Sequence, residues 1–158
     1  MADREKPDGY IELKFGPRWK YISSARAFIQ NFLAVSITDQ SKADKIAMAA
    51  SELLENAVKY ASGEETHIYV EVYPDSESIN VSVTNQATKE ACEGLREVFD
   101  KISQGDPLQA YVNQMKEAAI RSDGKSQLGL VRIRYETGAD IRLDIDEQYK
   151  VKITIKVG

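Results

Sequence analysis

Polar and apolar residues alternate from Tyr10 to Phe15 with the period of a half-buried strand, and Gly16-Pro17 ends the run. A helical spacing follows from about Ile22 to Val35, with Ala25, Phe28, Ile29 and Phe32 expected on its buried face and Trp19 at the core edge. Ser41 is expected to cap the next helix, which runs from about Lys42 to Ala61 and stops at Ser62-Gly63. His67 to Tyr73 and Ile79 to Thr84 are rich in β-branched and aromatic residues, and Pro74-Asp75-Ser76 between them predicts a hairpin turn. Lys89 to Lys101 and Pro107 to Arg121 are helical in pattern, parted by Gly105-Asp106-Pro107, and Asp123-Gly124 ends the second. Tyr111, Met115 and Ile120 are expected to pack that second helix. Leu128 to Glu136 predicts a further helix closed by Gly138, and Asp140 to Asp146 with Tyr149 to Val157 alternate as a terminal hairpin. The order βααββαααββ predicts an α/β two-layer sandwich: a mixed, mainly antiparallel sheet of about five strands with helices on one face.

Composition narrows the picture. A chain of 158 residues is long enough for one sizeable core, so one domain spanning 1–158 is expected. The formal charge of −4, with Lys and Arg scattered along the chain, gives no general attraction to phosphate backbones, so nucleic acid is not an expected partner. A lone Cys92 forms no intramolecular disulfide and is expected to be a small buried residue; a single His67 supplies no zinc set and opens a strand with no motif around it. The charged N-terminus lacks the apolar stretch of a signal peptide, and no run approaches the ~20 apolar residues of a spanning helix, so a cytoplasmic, non-membrane protein is expected.

Candidate chemistry sits on the long helix. At about 100° per residue, Ile46, Ala50, Leu53, Ala57 and Tyr60 form one buried stripe, with Glu52, Asn56 and Lys59 together at its border and Glu55 toward solvent. Spacings of four and three thus gather a carboxylate, a carboxamide and an ammonium into one polar patch. Periodicity alone equally describes an ordinary amphipathic helix with solvated border charges.

The wording of the segment goes further. Ser51-Glu52-Leu53-Leu54-Glu55-Asn56-Ala57-Val58-Lys59-Tyr60-Ala61 resembles the N-box of the GHKL (Bergerat-fold) superfamily, which includes histidine kinases, gyrase-type ATPases, Hsp90 and anti-sigma-factor serine kinases. The resemblance implies that Asn56 chelates Mg²⁺ bound to the phosphates of ATP and that Glu52 is the general base for a water or a substrate hydroxyl. A carboxamide oxygen suits Mg²⁺, and phosphoryl transfer needs chiefly positioning and charge neutralisation.

The glycine boxes of that family are altered here. Val83-Thr84-Asn85-Gln86-Ala87 stands where the family has Asp-x-Gly, so the resemblance places adenine beside Asn85, a neutral acceptor, while Ala87 replaces a glycine. Lys125-Ser126-Gln127-Leu128-Gly129-Leu130 stands for the second box and keeps Gly129 and both leucines, at a helix start that could offer amides to a phosphate. Two helices lie between the boxes, where other members carry an ATP lid, and this arrangement looks most like the small SiaB-type branch of single-domain kinases. The resemblance implies an ATP- and Mg²⁺-binding serine/threonine kinase that phosphorylates or sequesters a STAS-type antagonist, or engages a sigma factor, in partner switching, and it is compatible with a homodimer. The competing expectation is a nucleotide-free adaptor that keeps the fold and a partner surface. A sensor histidine kinase is not expected, because no dimerisation helix pair with a phosphoacceptor histidine precedes these boxes.

Overall fold

The computed structural model describes residues 9–73, 78–103, 105–120 and 128–158, with the backbone alone at 117–120 and 128. The expected turn at Pro74-Asp75-Ser76, the helix stop at Asp123-Gly124 and the box residues Lys125, Ser126 and Gln127 lie outside them. Along the chain run β1 (Gly9–Phe15), α1 (Trp19–Ser36), α2 (Gln40–Tyr60), β2 (Ala61–Tyr73), β3 (Ser78–Ala87), α3 (Lys89–Ile102), α4 (Pro107–Ile120), α5 (Leu128–Thr137), β4 (Asp140–Ile145) and β5 (Lys150–Val157). The order βααββαααββ is the one read from periodicity.

The five strands form one sheet in the order β1-β2-β3-β5-β4, and each of its four pairings is antiparallel. Register follows from the side-chain period of two. Leu13, Ile68, Val83, Ile153 and Leu143 make one apolar row across all five strands, and Ile11, Val70, Val81, Ile155 and Ile141 make the next. The alternate rows turn the other way: beside the first, Lys14, His67, Thr84, Lys152 and Asp144 face outward together. His67 therefore sits within β2 on the outer face, where its Nε2 lies 2.6 Å from Glu12 Oε1.

The helices cover the apolar face. Ile22, Ile29 and Leu33 of α1, Ile46, Leu53 and Leu54 of α2, Leu95 of α3 and Leu130 of α5 are buried in one cluster with the inward strand residues. Burial of one such side chain is worth roughly 1.5–3 kcal/mol relative to exposure. Caps set several starts: Asp39 accepts from Lys42 N at 3.1 Å, Thr88 from Ala91 N at 3.1 Å, and Asp106 from Gln109 N at 3.0 Å. At the far end of α3, Arg134 of α5 donates to Ile102 O at 2.8 Å and Gly105 O at 2.9 Å, closing the helix end with a cation.

Several expectations are corrected. Asp39, two residues before Ser41, caps α2, because its carboxylate is the group that reaches the first free amides. α2 ends at Tyr60 and passes directly into β2, whose pairing with β3 shifts register between Ala61 and Thr66. Phe28 and Trp19 are exposed rather than buried: α1 carries apolar residues on more than one side, and only the Ile22–Ile29 side meets the sheet layer. Met115 is likewise exposed on α4, while Cys92 is fully buried as expected.

Candidate functional site

The site begins on α2. Leu53, Leu54 and Ala57 are locked into the core, and this fixes the rotation that brings Glu52 to the border beside α5 and turns Asn56 inward. Asn56 is buried, and its Nδ2 donates to Glu52 O one turn earlier at 3.1 Å. That bond uses the nitrogen end of the carboxamide, so the oxygen, the end a hard cation needs, stays out of it. Burial raises the Glu52 carboxyl above its usual range, and Glu55 and Glu136 add to the effect while Arg132 and Lys59 oppose it. Glu55 is half-buried rather than turned to open solvent, which is why its charge reaches Glu52. Lys59 is exposed and acts on the site through its charge.

Across from Glu52 stands the first turn of α5. A methyl placed at Gly129 would lie 2.2 Å from Glu52 Oε2 and 3.0 Å from its Cδ, so the glycine leaves the space in which the carboxylate sits. The sequence reading assigned Gly129 to the approach of a phosphate; the structure fills the room it leaves with the Glu52 carboxylate. Gly129→Ala is expected to overpack this contact and lower stability by about 1–3 kcal/mol, or to push Glu52 aside. Adding Glu52→Ala should recover most of the loss, and urea unfolding of both single variants and the double variant measures that coupling. Equal losses with and without Glu52 would show that the two residues do not share this space.

Glu52, Gly129, Lys45, Arg132, Glu136 and Thr137 line a narrow cleft of about 10 Å³ between α2 and α5. Lys45, Glu136 and Thr137 also line a cavity of about 310 Å³ at the start of α2, so the cleft and the cavity share a wall. Sequence reasoning missed Arg132 and Glu136, although the spacing carried a signal: Arg132 follows Gly129 by three and precedes Glu136 by four. It also missed the stack of Tyr111 on Tyr135, with centroids 5.2 Å apart and rings tilted by 12°, which ties α4 to α5.

Asn85 lies elsewhere on the inner side of the sheet. It sits in β3 between Thr66 and Val151, is buried, and donates from Nδ2 to Gln86 O at 3.1 Å. Its neighbour Thr66 buries a hydroxyl that finds no hydrogen-bond partner among the described residues, an arrangement that calls for one. Ala87, at the place of the family's glycine, tucks its methyl into the core. A cavity of about 320 Å³ on the outer face of the sheet, lined by Lys14, His67, Thr84 and Lys150, meets Asn85 from the side opposite its inward row. The structure thus sets the Glu52 carboxylate against Gly129, with Asn56 one turn further along α2, and turns Asn85 to the inner, helix-covered face of the sheet.

Among the described residues, no three Asp, Glu, His or Cys side chains gather to hold a metal. Mg²⁺ does not require such a cage, since it commonly takes one or two protein oxygens and fills its shell with water and phosphate oxygens. The carboxamide of Asn56 and the half-buried carboxylate of Glu52 one turn before it fit that requirement. No helix among the described residues is long and apolar enough to cross a membrane.

A family model for the histidine kinase-like ATPase domain matches residues 15–134, a span that includes Glu52, Asn56, Asn85 and Gly129. The chain belongs to that family. Histidine kinase-like ATPase domains imply ATP binding, usually with Mg²⁺, and the antiparallel sheet with helices on one face is the α/β fold of this GHKL-like group. No curated protein matches the chain. A chain of the SiaB–SiaC complex from Pseudomonas aeruginosa matches with a TM-score of 0.68, over 98% of this chain and 91% of that one, at 17% identity. Likeness at that identity is a likeness of fold, and it agrees with the SiaB-type arrangement read from the two helices between the boxes.

Proposed function

We propose that residues 1–158 act as one ATP-binding regulatory domain, a cytoplasmic serine/threonine kinase that phosphorylates a STAS-type antagonist in partner switching. The observation that supports this reading best is the half-buried Glu52 carboxylate, with its raised affinity for protons, seated against Gly129 one turn before the buried carboxamide of Asn56. Bound Mg²⁺-ATP would supply the transferable phosphoryl group. Asn56 would hold the metal, Asn85 with the Thr66 hydroxyl would face the adenine, and Gly129 would let the phosphates approach the start of α5. Glu52 would take the proton from the acceptor hydroxyl onto its carboxylate, a role for which a raised affinity for protons is suited.

A protein partner is supported by the fold match, because the matched structure is itself a complex of two proteins. The second reading, a nucleotide-free adaptor, is favoured by one observation: the Ala87 methyl occupies core space at the altered box. Incubation with terminally labelled ATP, Mg²⁺ and a STAS-domain protein that co-purifies with the chain separates the two. The kinase reading predicts label on a serine or threonine of that protein. A stable complex with no label and no nucleotide bound would establish the adaptor instead.

A further inference from the structure

Two helices, α2 and α5, form the Glu52 cleft. Arg132 stands one turn after Gly129 on the same face of α5 and lines the cleft with Glu52 and Lys45 of α2. Its Nε donates to Glu136 Oε1 at 3.0 Å, with both side chains partly exposed. That contact is made from the Nε edge to one carboxylate oxygen, whereas a guanidinium carries five N–H donors. Arg132 lies between Glu136 of its own helix and Glu52 across the cleft, and both carboxylates favour its charged form. The Tyr111–Tyr135 stack holds α4 against α5 at this point.

A planar guanidinium matches the oxygens of a phosphoryl group better than it matches a single carboxylate oxygen, and its pairs with phosphate are frequently bidentate. An exposed i,i+4 ion pair holds it only weakly. We propose that Arg132 holds the phosphoryl dianion at the Glu52 cleft and that Glu136 is the counter-ion from which it transfers when that dianion arrives. The proposal rests on the phosphoryl-transfer reading above. Two sources share this chemistry: the terminal phosphate of the nucleotide, and the phosphorylated side chain of a protein partner.

Calorimetric titration of the full chain in Mg²⁺ with a non-hydrolysable ATP analogue, with ADP and with O-phosphoserine distinguishes them. If the nucleotide is the source, Arg132→Ala should lower affinity for the ATP analogue about tenfold or more and leave ADP affinity unchanged. Arg132→Lys should recover part of the loss. Glu136→Gln should tighten the analogue, a change of opposite sign that no general loss of folding produces. If the phosphorylated partner is the source, the same pattern should appear with O-phosphoserine and spare both nucleotides. A wild-type preference for ATP analogue over ADP that survives in all three variants, with phosphoserine binding also unaltered, would overturn the proposal while the kinase reading stands; Arg132–Glu136 would then be an ordinary surface pair. Absence of any nucleotide or phosphoserine binding in the wild type would overturn both.

Discussion

Asn56→Ala is expected to weaken Mg²⁺-nucleotide binding by one to two orders of magnitude, with little change in binding measured without metal. The carboxamide oxygen is a hard ligand that the buried face of α2 offers to a cation. Loss of an interaction with a charged group costs about 1.5–3 kcal/mol, which corresponds to roughly 10- to 150-fold in affinity. Asn56→Ala also removes the bond to Glu52 O, so the variant should be checked for a native melting transition first. Equal affinity in both proteins at saturating Mg²⁺ would remove the metal role from Asn56.

Glu52→Gln is expected to separate binding from chemistry. The amide keeps the size of the side chain facing Gly129 and removes its ability to accept a proton, so nucleotide affinity should hold while phosphoryl transfer falls by about 10²-fold or more. Transfer from labelled ATP to the partner, measured for both proteins, makes the comparison, and equal rates would reduce Glu52 to a border charge. Stability should move the other way. Because burial raises the Glu52 pKa in the folded state above its reference value of 4.5, the folded chain binds that proton more tightly than the unfolded chain. The resulting stabilisation is complete below the unfolded value and is lost as pH rises through the raised one; at neutral pH the carboxylate is ionised and half-buried at a cost. Glu52→Gln should therefore melt higher than the wild type at pH 7 in EDTA and lose that advantage near pH 4. A lower melting temperature at pH 7 would contradict this.

The element order was legible because strands and helices write different periods into the chain. The alternation of Tyr10 to Phe15 and the three-and-four spacing of Ile46, Ala50, Leu53 and Ala57 leave little choice of structure. Periodicity says less about which apolar face is covered. α1 has more than one apolar side, and only packing against the sheet decides that Ile29 is inside and Phe28 outside. Asp39 and Ser41 are both capable caps two positions apart, and the choice between them rests on backbone geometry that composition does not encode. At the site, Glu52 and Asn56 were readable as i,i+4 neighbours on one helix. The contact of Gly129 with Glu52 was not, because it joins two helices far apart in sequence. Asn85 lies near the end of its strand as expected, while the register that turns it inward between Thr66 and Val151 is not carried by the motif alone.

The central claim is that this chain binds nucleotide through a magnesium ion held by the N-box helix. Calorimetric titration of the wild-type protein with a non-hydrolysable ATP analogue, with Mg²⁺ and then with EDTA, tests it most directly. A saturable heat that is present with Mg²⁺ and falls steeply in EDTA is the expected result. No heat and no shift in melting temperature at millimolar analogue would contradict the claim and leave the chain a histidine kinase-like fold that serves as an adaptor.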